Sequence, residues 1–338
     1  MNTTIGIDLA KVTLHAVAMD ASGKVVQRRK LGRAKLVEWL ANQGPCLIGM
    51  EACAGAHHLA RTLRAQGHEV RLMPGQYVKP FVKTHKNDLT DAEAIAEAVQ
   101  RPQMRFVPIK TTTQLDVQAL HRARDRLVGM RTALINQIRG FLLERGLPVA
   151  RGRRTLEKAL PALLDDHAEE LGATLRQLIE CLRAQWRAVD QPIAALDEQI
   201  LALARQDDTS QRLMGIPGVG PMLATALVAA IGSSALGFRD GRSLAAWLGL
   251  VPRQHSTGGK ARLLGIARHG NRYLRRLLVH AARSLKRVAI GRDDRLGRWL
   301  QGLEARAHAN VATVALAAKL ARFSWAIMTR NDSYHAAA

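Results

Sequence analysis

The rhythm of apolar residues changes twice along this 338-residue chain and divides it into three. From residue 1 to 110, short apolar runs bounded by polar turns predict strands at Ile5–Leu9, Leu14–Met19 and Lys24–Lys30, together a meander. A helix near Leu36–Ala41 follows. Next come a strand over Cys46–Glu51, a helix around Leu59–Gln66, a strand at Glu69–Met73 and a helix through Asp88, Ala92 and Ile95. Strands alternating with helices in this way predict an α/β layered domain.

From 111 to 206 the strand signals vanish. Leu120, Leu127, Leu134 and Phe141 recur every seven residues, with Val128, Ile135 and Leu142 beside them, and predict one long helix with a broad apolar stripe. Leu175, Leu178, Leu182, Trp186, Val189, Ile193, Leu196, Ile200 and Leu203 alternate spacings of three and four, a coiled-coil seam on a second helix, which Pro192 is expected to kink or break. The basic link from Gly146 to Asp166, with Pro148 and Pro161, reads as a hairpin tip. Both an intramolecular helical pair and a dimerisation arm fit the seam.

Residues 207–338 form the third part, mainly α-helical. Here Gly215-Ile216-Pro217-Gly218-Val219-Gly220-Pro221 precedes an apolar helix over Met222–Ile231. This is the pattern of a helix-hairpin-helix, whose Gly218 and Gly220 let backbone amides approach a phosphate at a helix N-terminus; a tight helix turn has the same sequence. The apolar stretch Val311–Met328 contains Lys319 and Arg322, so it reads as a packed helix rather than a membrane span. The N-terminus, where the first strand starts almost at once, does not resemble a signal peptide.

Charge narrows the field of partners. Fifty Lys and Arg against 28 Asp and Glu leave a net charge of +22, a surface that seeks polyanions. Between Asp240 and Asp293 there is no carboxylate, while Arg253, Lys260, Arg262, Arg268, Arg272, Arg275, Arg276 and Arg292 are among twelve cations. With few aromatics among them, phosphate contact is favoured over base stacking. The three cysteines, Cys46, Cys53 and Cys181, lack CxxC spacing; buried free thiols in a reducing cytoplasm are expected, and no zinc site.

Against this basic background four carboxylates stand out. Asp8 is the only charge in its strand and Glu51 ends another, so the two can lie side by side; Asp88 and Asp91 share a helix face at i and i+3. Taken singly, each is an ordinary cap or solvated acid. Converging, they would repel one another unless cations neutralised them, and oxygen-only ligands favour Mg²⁺, with Mn²⁺ as the alternative. Such a pair of ions is suited to phosphodiester chemistry. Three strands followed by alternating helix and strand is also the element order of the RNase H superfamily.

A second chemical feature is Pro252-Arg253-Gln254-His255-Ser256-Thr257-Gly258-Gly259-Lys260. Ser256 on this glycine loop serves either as a simple turn residue or as a nucleophile whose alkoxide Lys260, Arg262 and Arg272 would stabilise, with His255 as a proton acceptor if it lies in reach.

Gly6-Ile7-Asp8 with Lys11, Met50-Glu51-Ala52, Lys86-Asn87-Asp88-Leu89-Thr90-Asp91-Ala92, Gly249-Leu250-Val251-Pro252, Ser256-Thr257-Gly258-Gly259-Lys260 and Gly270-Asn271-Arg272-Tyr273-Leu274-Arg275 together resemble the insertion sequence 110 family of transposases, most closely its 1111 subgroup. The resemblance implies a RuvC-like domain with a DEDD tetrad at Asp8, Glu51, Asp88 and Asp91, a coiled coil, and a transposase domain with a catalytic serine at Ser256; Thr257 stands where relatives carry a second serine. It further implies a site-specific recombinase guided by a structured noncoding bridge RNA that pairs with donor and target DNA. A covalent 5′-phosphoserine link and a Holliday-junction-like intermediate are expected. So are homo-oligomers, dimer to tetramer, whose active sites combine the acids of one protomer with the serine of another. Two other readings of the residues remain: a RuvC-type structure-selective endonuclease using metal-activated water, and a non-catalytic architectural protein.

Overall fold

The computed structural model describes residues 3–82, 87–289 and 294–335. Lys86 and Arg292, singled out above, lie outside the described residues. The chain forms two units, residues 1–112 and 113–338.

The first unit is built on a five-stranded sheet. Its elements are β1 (Thr4–Leu9), β2 (Thr13–Met19), β3 (Val25–Gly32), α1 (Arg33–Ala41), β4 (Leu47–Glu51), α2 (Ala56–Ala65), β5 (Glu69–Met73), the single turn α3 (Gly75–Val78) and α4 (Asp88–Ala98). The spatial order is β3-β2-β1-β4-β5; β1 and β3 run antiparallel to β2, whereas β4 pairs parallel with both β1 and β5. This mixed sheet is compatible with an RNase H-like transposase domain. The outer strand β3 presents Arg28, Arg29 and Lys30, charges that discourage pairing with another edge.

Strand alternation assigns the two faces. Ile5 and Ile7 of β1 bury against Leu36 and Leu40 of α1 and Leu59 and Leu63 of α2. Gly6 and Asp8 face the other way, beneath α4, where Val17 and Met19 of β2 pack with Ala92 and Ala96. Gly6 has a steric reason to be glycine: a Cβ there would stand 2.1 Å from the Ala92 carbonyl oxygen and 2.4 Å from the Ala96 nitrogen. Gly49 of β4 plays the same part, since its Cβ would meet Val99 Cβ at 2.8 Å. Each glycine precedes its acid by two residues, so helix α4 settles close to the strands where Asp8 and Glu51 emerge.

The second unit contains α5 (Thr112–Leu143), α6 (Arg153–Asp166), α7 (Ala168–Gln206), α8 (Asp208–Met214), α9 (Pro221–Ile231), α10 (Gly241–Trp247), β6 (Pro252–Gln254), β7 (Leu263–Ile266), α11 (Arg272–Ala289), α12 (Arg295–Glu304) and α13 (Ala309–Arg330). Helices α5 and α7 run antiparallel, as their ion pairs show: Arg124 with Asp197, and Arg131 with Asp190 at 2.7 Å. Ile135, Ile138 and Leu142 of α5 meet Ile179 and Trp186 of α7 in one apolar cluster. The heptad on α7 that is buried runs Ile179, Trp186, Ile193, Ile200, and Leu178 is left exposed.

Two expectations are corrected here. Residues 153–166 form a helix rather than a bare hairpin tip, because Leu156, Leu160 and Leu164, four apart, give α6 an apolar face that seals the α5–α7 pair. The break in α7 falls at Gly172, with φ 68° and ψ 158°, and not at Pro192, where the backbone stays helical. Glycine takes up the left-handed geometry at no steric cost, whereas the packed seam on both sides of Pro192 holds that stretch in register.

Helices α8 to α13 share a core. Leu223 and Leu227 of α9, Leu274, Leu278 and Leu285 of α11, and Leu316 and Leu320 of α13 all belong to it. Helix α13 is long and apolar enough to cross a membrane by composition, but half of that stretch is buried in this core. His121 of α5 ties three helices together, bonding Tyr273 Oη at 2.9 Å and Thr225 Oγ1 at 3.0 Å. Cys46 is a buried free thiol, as expected, but Cys53 and Cys181 are exposed: one lies in the turn after Glu51 and the other on the solvent face of α7.

Candidate metal centre and serine hairpin

Three of the four predicted acids converge. Ligand oxygens of Asp8, Asp88 and Asp91 all lie within 4.8 Å of one another. Asp8 reaches the cluster from the end of β1, while Asp88 and Asp91 come from the first turn of α4, capped by Asn87, whose side chain accepts from the Leu89 amide at 3.1 Å. Helix N-terminal amides favour negative charge, so the helix dipole supports two acids in this turn. Glu51, at the end of the adjacent β4, stands beside this group rather than in it, its Oε2 lying 3.0 Å from where a Cβ on Gly75 would be.

Burial and mutual repulsion act together on two of these groups. Burial, then the charges of Asp91 and Asp88, raise the Asp8 pKa above the ordinary carboxylate range, with His15 opposing. Burial, then Asp8 and Asp91, do the same to Glu51. A bound cation would relieve that repulsion, and a set of hard carboxylate oxygens this closely spaced fits a divalent ion.

One neighbour escaped sequence reasoning. His15 of β2 is the cross-strand partner of Asp8 and points to the same face. Its Nδ1 lies 3.6 Å from Asp88 Oδ2, is shielded from solvent and has no hydrogen-bond partner among the described residues. What sets it there is the antiparallel β1–β2 register, which places His15 opposite Asp8.

Ser256 sits in the second unit on the hairpin of β6 and β7, which is exposed from Arg253 to Gly265. The tip is a tight turn in which Gly258 (φ 56°) and Gly259 (φ 78°) sit between Thr257 and Lys260, a pair of positive φ values that glycine supplies without strain. Ser256 Oγ accepts a hydrogen bond from Gln254 Nε2 at 2.8 Å. His255 is exposed beside Ser256, and its amide donates to the Arg262 carbonyl at 2.9 Å, continuing the ladder beyond β6.

The predicted cations fall into two groups. Lys260, Arg262, Arg268 and Arg272 are exposed around the hairpin and its base. Arg275 instead staples that base, donating to the Leu248 carbonyl at 3.0 Å and the His269 carbonyl at 2.6 Å, where Gly249 and Gly270 allow the two stems to cross. Arg276 pairs with Asp125 and lies over the Tyr273 ring. Gly218 (φ 85°) is packed against α11 by its missing side chain, and Gly220 precedes α9.

Comparison with known proteins decides the family. A DEDD transposase family model, described as Transposase, matches residues 5–145, and a second, described as Transposase IS116/IS110/IS902 family, matches residues 210–295. The chain is 47 % identical over 331 residues to a probable family 20 transposase of Pseudomonas aeruginosa, spanning 98 % of both chains. This chain belongs to the IS110/IS116/IS902 family of transposases. It is also 43 % identical to the transposase for insertion sequence element IS1111A of Coxiella burnetii, over 99 % of this chain and 92 % of that one. To the transposase for insertion sequence element IS1328 of Yersinia enterocolitica the identity is 40 %, over 98 % of each. Such likeness over nearly the full length makes it a DNA transposase, an enzyme of IS110-family insertion sequences. The first matched segment contains all four acids and the second contains Ser256.

Proposed function

We propose that this transposase is a site-specific DNA recombinase that cuts and rejoins strands through a covalent bond to Ser256, with Asp8, Glu51, Asp88 and Asp91 holding Mg²⁺, or Mn²⁺ in its place. The observation that carries the reading is the convergence of Asp8, Asp88 and Asp91 in a chain that also presents Ser256 on an exposed basic hairpin. A divalent cation bound by the acids would neutralise phosphate charge and polarise the scissile phosphodiester.

The chain's own groups do the rest. Gln254 Nε2 occupies one lone pair of Ser256 Oγ, which orients the hydroxyl and leaves another lone pair for attack. The Oγ–phosphorus bond forms, the bond from phosphorus to the 3′-oxygen breaks, the serine proton passes to solvent, and the 3′-oxygen gains a proton. Lys260, Arg262 and Arg272 offset charge on the phosphoryl group. Rejoining is the reverse attack by a 3′-hydroxyl on phosphoserine, so bond energy is conserved and no external energy source is required.

The choice of DNA is assigned to a structured noncoding guide RNA pairing with donor and target, in keeping with the family resemblance and with a surface suited to phosphate rather than base readout. The Gly215–Gly220 turn acts as a helix-hairpin-helix contact to the nucleic-acid backbone, and the α5–α7 region, 111–206, separates the RuvC-like domain from the transposase domain. Homo-oligomers that combine acids and serine from different protomers make cleavage conditional on synapsis. The protein works in the cytoplasm.

Ser256→Ala tests the reading against a RuvC-type endonuclease. Incubated with cognate DNA, guide RNA and Mg²⁺, the variant should bind nucleic acid normally yet give no protein-linked DNA on a denaturing gel. Undiminished nicking by that variant would make water the nucleophile.

A further inference from the structure

The side chain of His15 is an anomaly in the first unit. It is nine-tenths buried, with 9 % of its side chain exposed, on a face otherwise packed with Val17, Met19, Ala92 and Ala96. Burying a polar nitrogen without a partner is costly. Its neighbour Asp88 is the opposite case, with 61 % of the side chain exposed at the start of α4. The separation of 3.6 Å between His15 Nδ1 and Asp88 Oδ2 is slightly too long for a hydrogen bond. A turn of the Asp88 side chain toward His15 would close it.

We propose that His15 is a positioning residue of the metal centre: its Nδ1–H donates to Asp88 Oδ2 and so fixes the carboxylate with its other oxygen, Oδ1, presented toward Asp8 and Asp91. The inference rests on the metal-centre reading above and adds to it a fifth residue that touches no cation itself. Partners of this kind orient ligands and raise metal affinity, and their removal typically weakens binding about 10–100-fold. Register makes the assignment specific. Because His15 lies opposite Asp8 across the β1–β2 ladder, the strand pair that delivers one ligand also delivers the group that orients another. The role calls for a hydrogen-bond donor at Nδ1.

The test measures Mn²⁺ binding to the full-length protein by the loss of the free-ion electron paramagnetic resonance signal, without DNA or turnover. Asn places an amide nitrogen where His carries Nδ1, whereas Leu fills the space without a donor. His15→Leu should weaken Mn²⁺ binding at least tenfold, and His15→Asn should stay within about threefold of wild type, short of the loss that removing such a partner causes. Asp8→Asn, a change in the cluster itself, serves as the control for the site. If wild type and Asp8→Asn bind Mn²⁺ alike, the metal-centre reading fails and this inference with it. If Asp8→Asn loses binding but His15→Leu does not, only the His15 role is overturned. Equal losses in the Leu and Asn variants also overturn it, since they would reflect packing. Should His15→Leu fail to fold, the Asn variant decides alone: a tenfold loss contradicts the proposal.

Discussion

Replacing Gly6 with Ala probes how closely the acids depend on the packing beneath them. The added methyl would lie 2.1 Å from the Ala92 carbonyl oxygen, 2.4 Å from the Ala96 nitrogen and 2.8 Å from the Ala96 Cβ. An ordinary carbon–oxygen contact is about 3.3 Å, so α4 must withdraw by roughly 1.2 Å from β1. Overpacking of this sort costs about 1–3 kcal/mol of stability. The functional cost should be larger, because the first turn of α4 carries Asp88 and Asp91 and retreats from Asp8 together with the rest of the helix. A misplacement near 1 Å can cost about 100-fold in rate. Urea unfolding gives the stability term, and DNA cleavage followed against Mg²⁺ concentration gives the other, with a raised metal requirement expected. Gly44→Ala is the matched control, since a Cβ there meets nothing within 4 Å. Wild-type stability and cleavage in Gly6→Ala would refute the argument that glycine sets the distance between strand and helix.

Other consequences follow from the same geometry. Asp8 and Glu51 have folded-state pKa values raised above their unfolded ones, so each costs stability at neutral pH, a cost that fades as pH falls back through the ordinary carboxylate range. Asp8→Asn should therefore raise the melting temperature of the metal-free protein at pH 7, with the difference closing toward about pH 4, and should abolish stabilisation by Mg²⁺ in a thermal melt. Arg275→Met removes the staple across the hairpin base while keeping a long apolar stem; trypsin should then cut at Arg253 or Arg262 several-fold faster, with global unfolding less affected. Gly259→Val forces a β-branched residue into a left-handed turn and should lower recombination without changing Mn²⁺ binding, whose proposed ligands lie in the other unit.

Much of the first unit was legible because its strands are short, apolar and separated by polar turns: the run Glu69–Met73 became β5 with the same bounds. Asp88 and Asp91 were placed together by helical spacing alone. Less legible was anything that depends on the partner of a residue. His15 reads as one polar position in an apolar strand until the β1–β2 register sets it against Asp8. Arg275 and Arg276 look like their exposed neighbours in the sequence, yet one holds backbone carbonyls and the other pairs with Asp125, distant contacts that a charge count does not contain. Helix α6 was hidden by Pro161 and by basic residues that mask the four-residue spacing of its leucines.

The most direct measurement is tandem mass spectrometry of the covalent adduct. Trypsin should release Gln254–Lys260 from wild-type protein stalled on cognate DNA with guide RNA and Mg²⁺, and nuclease digestion should leave a nucleotide mass on that peptide. Fragmentation is expected to place the mass on Ser256, and the modified peptide should be absent when Asp8→Asn is treated in the same way. A nucleotide on Thr257, cleaved DNA with no modified peptide, or an undiminished adduct in Asp8→Asn would contradict the account.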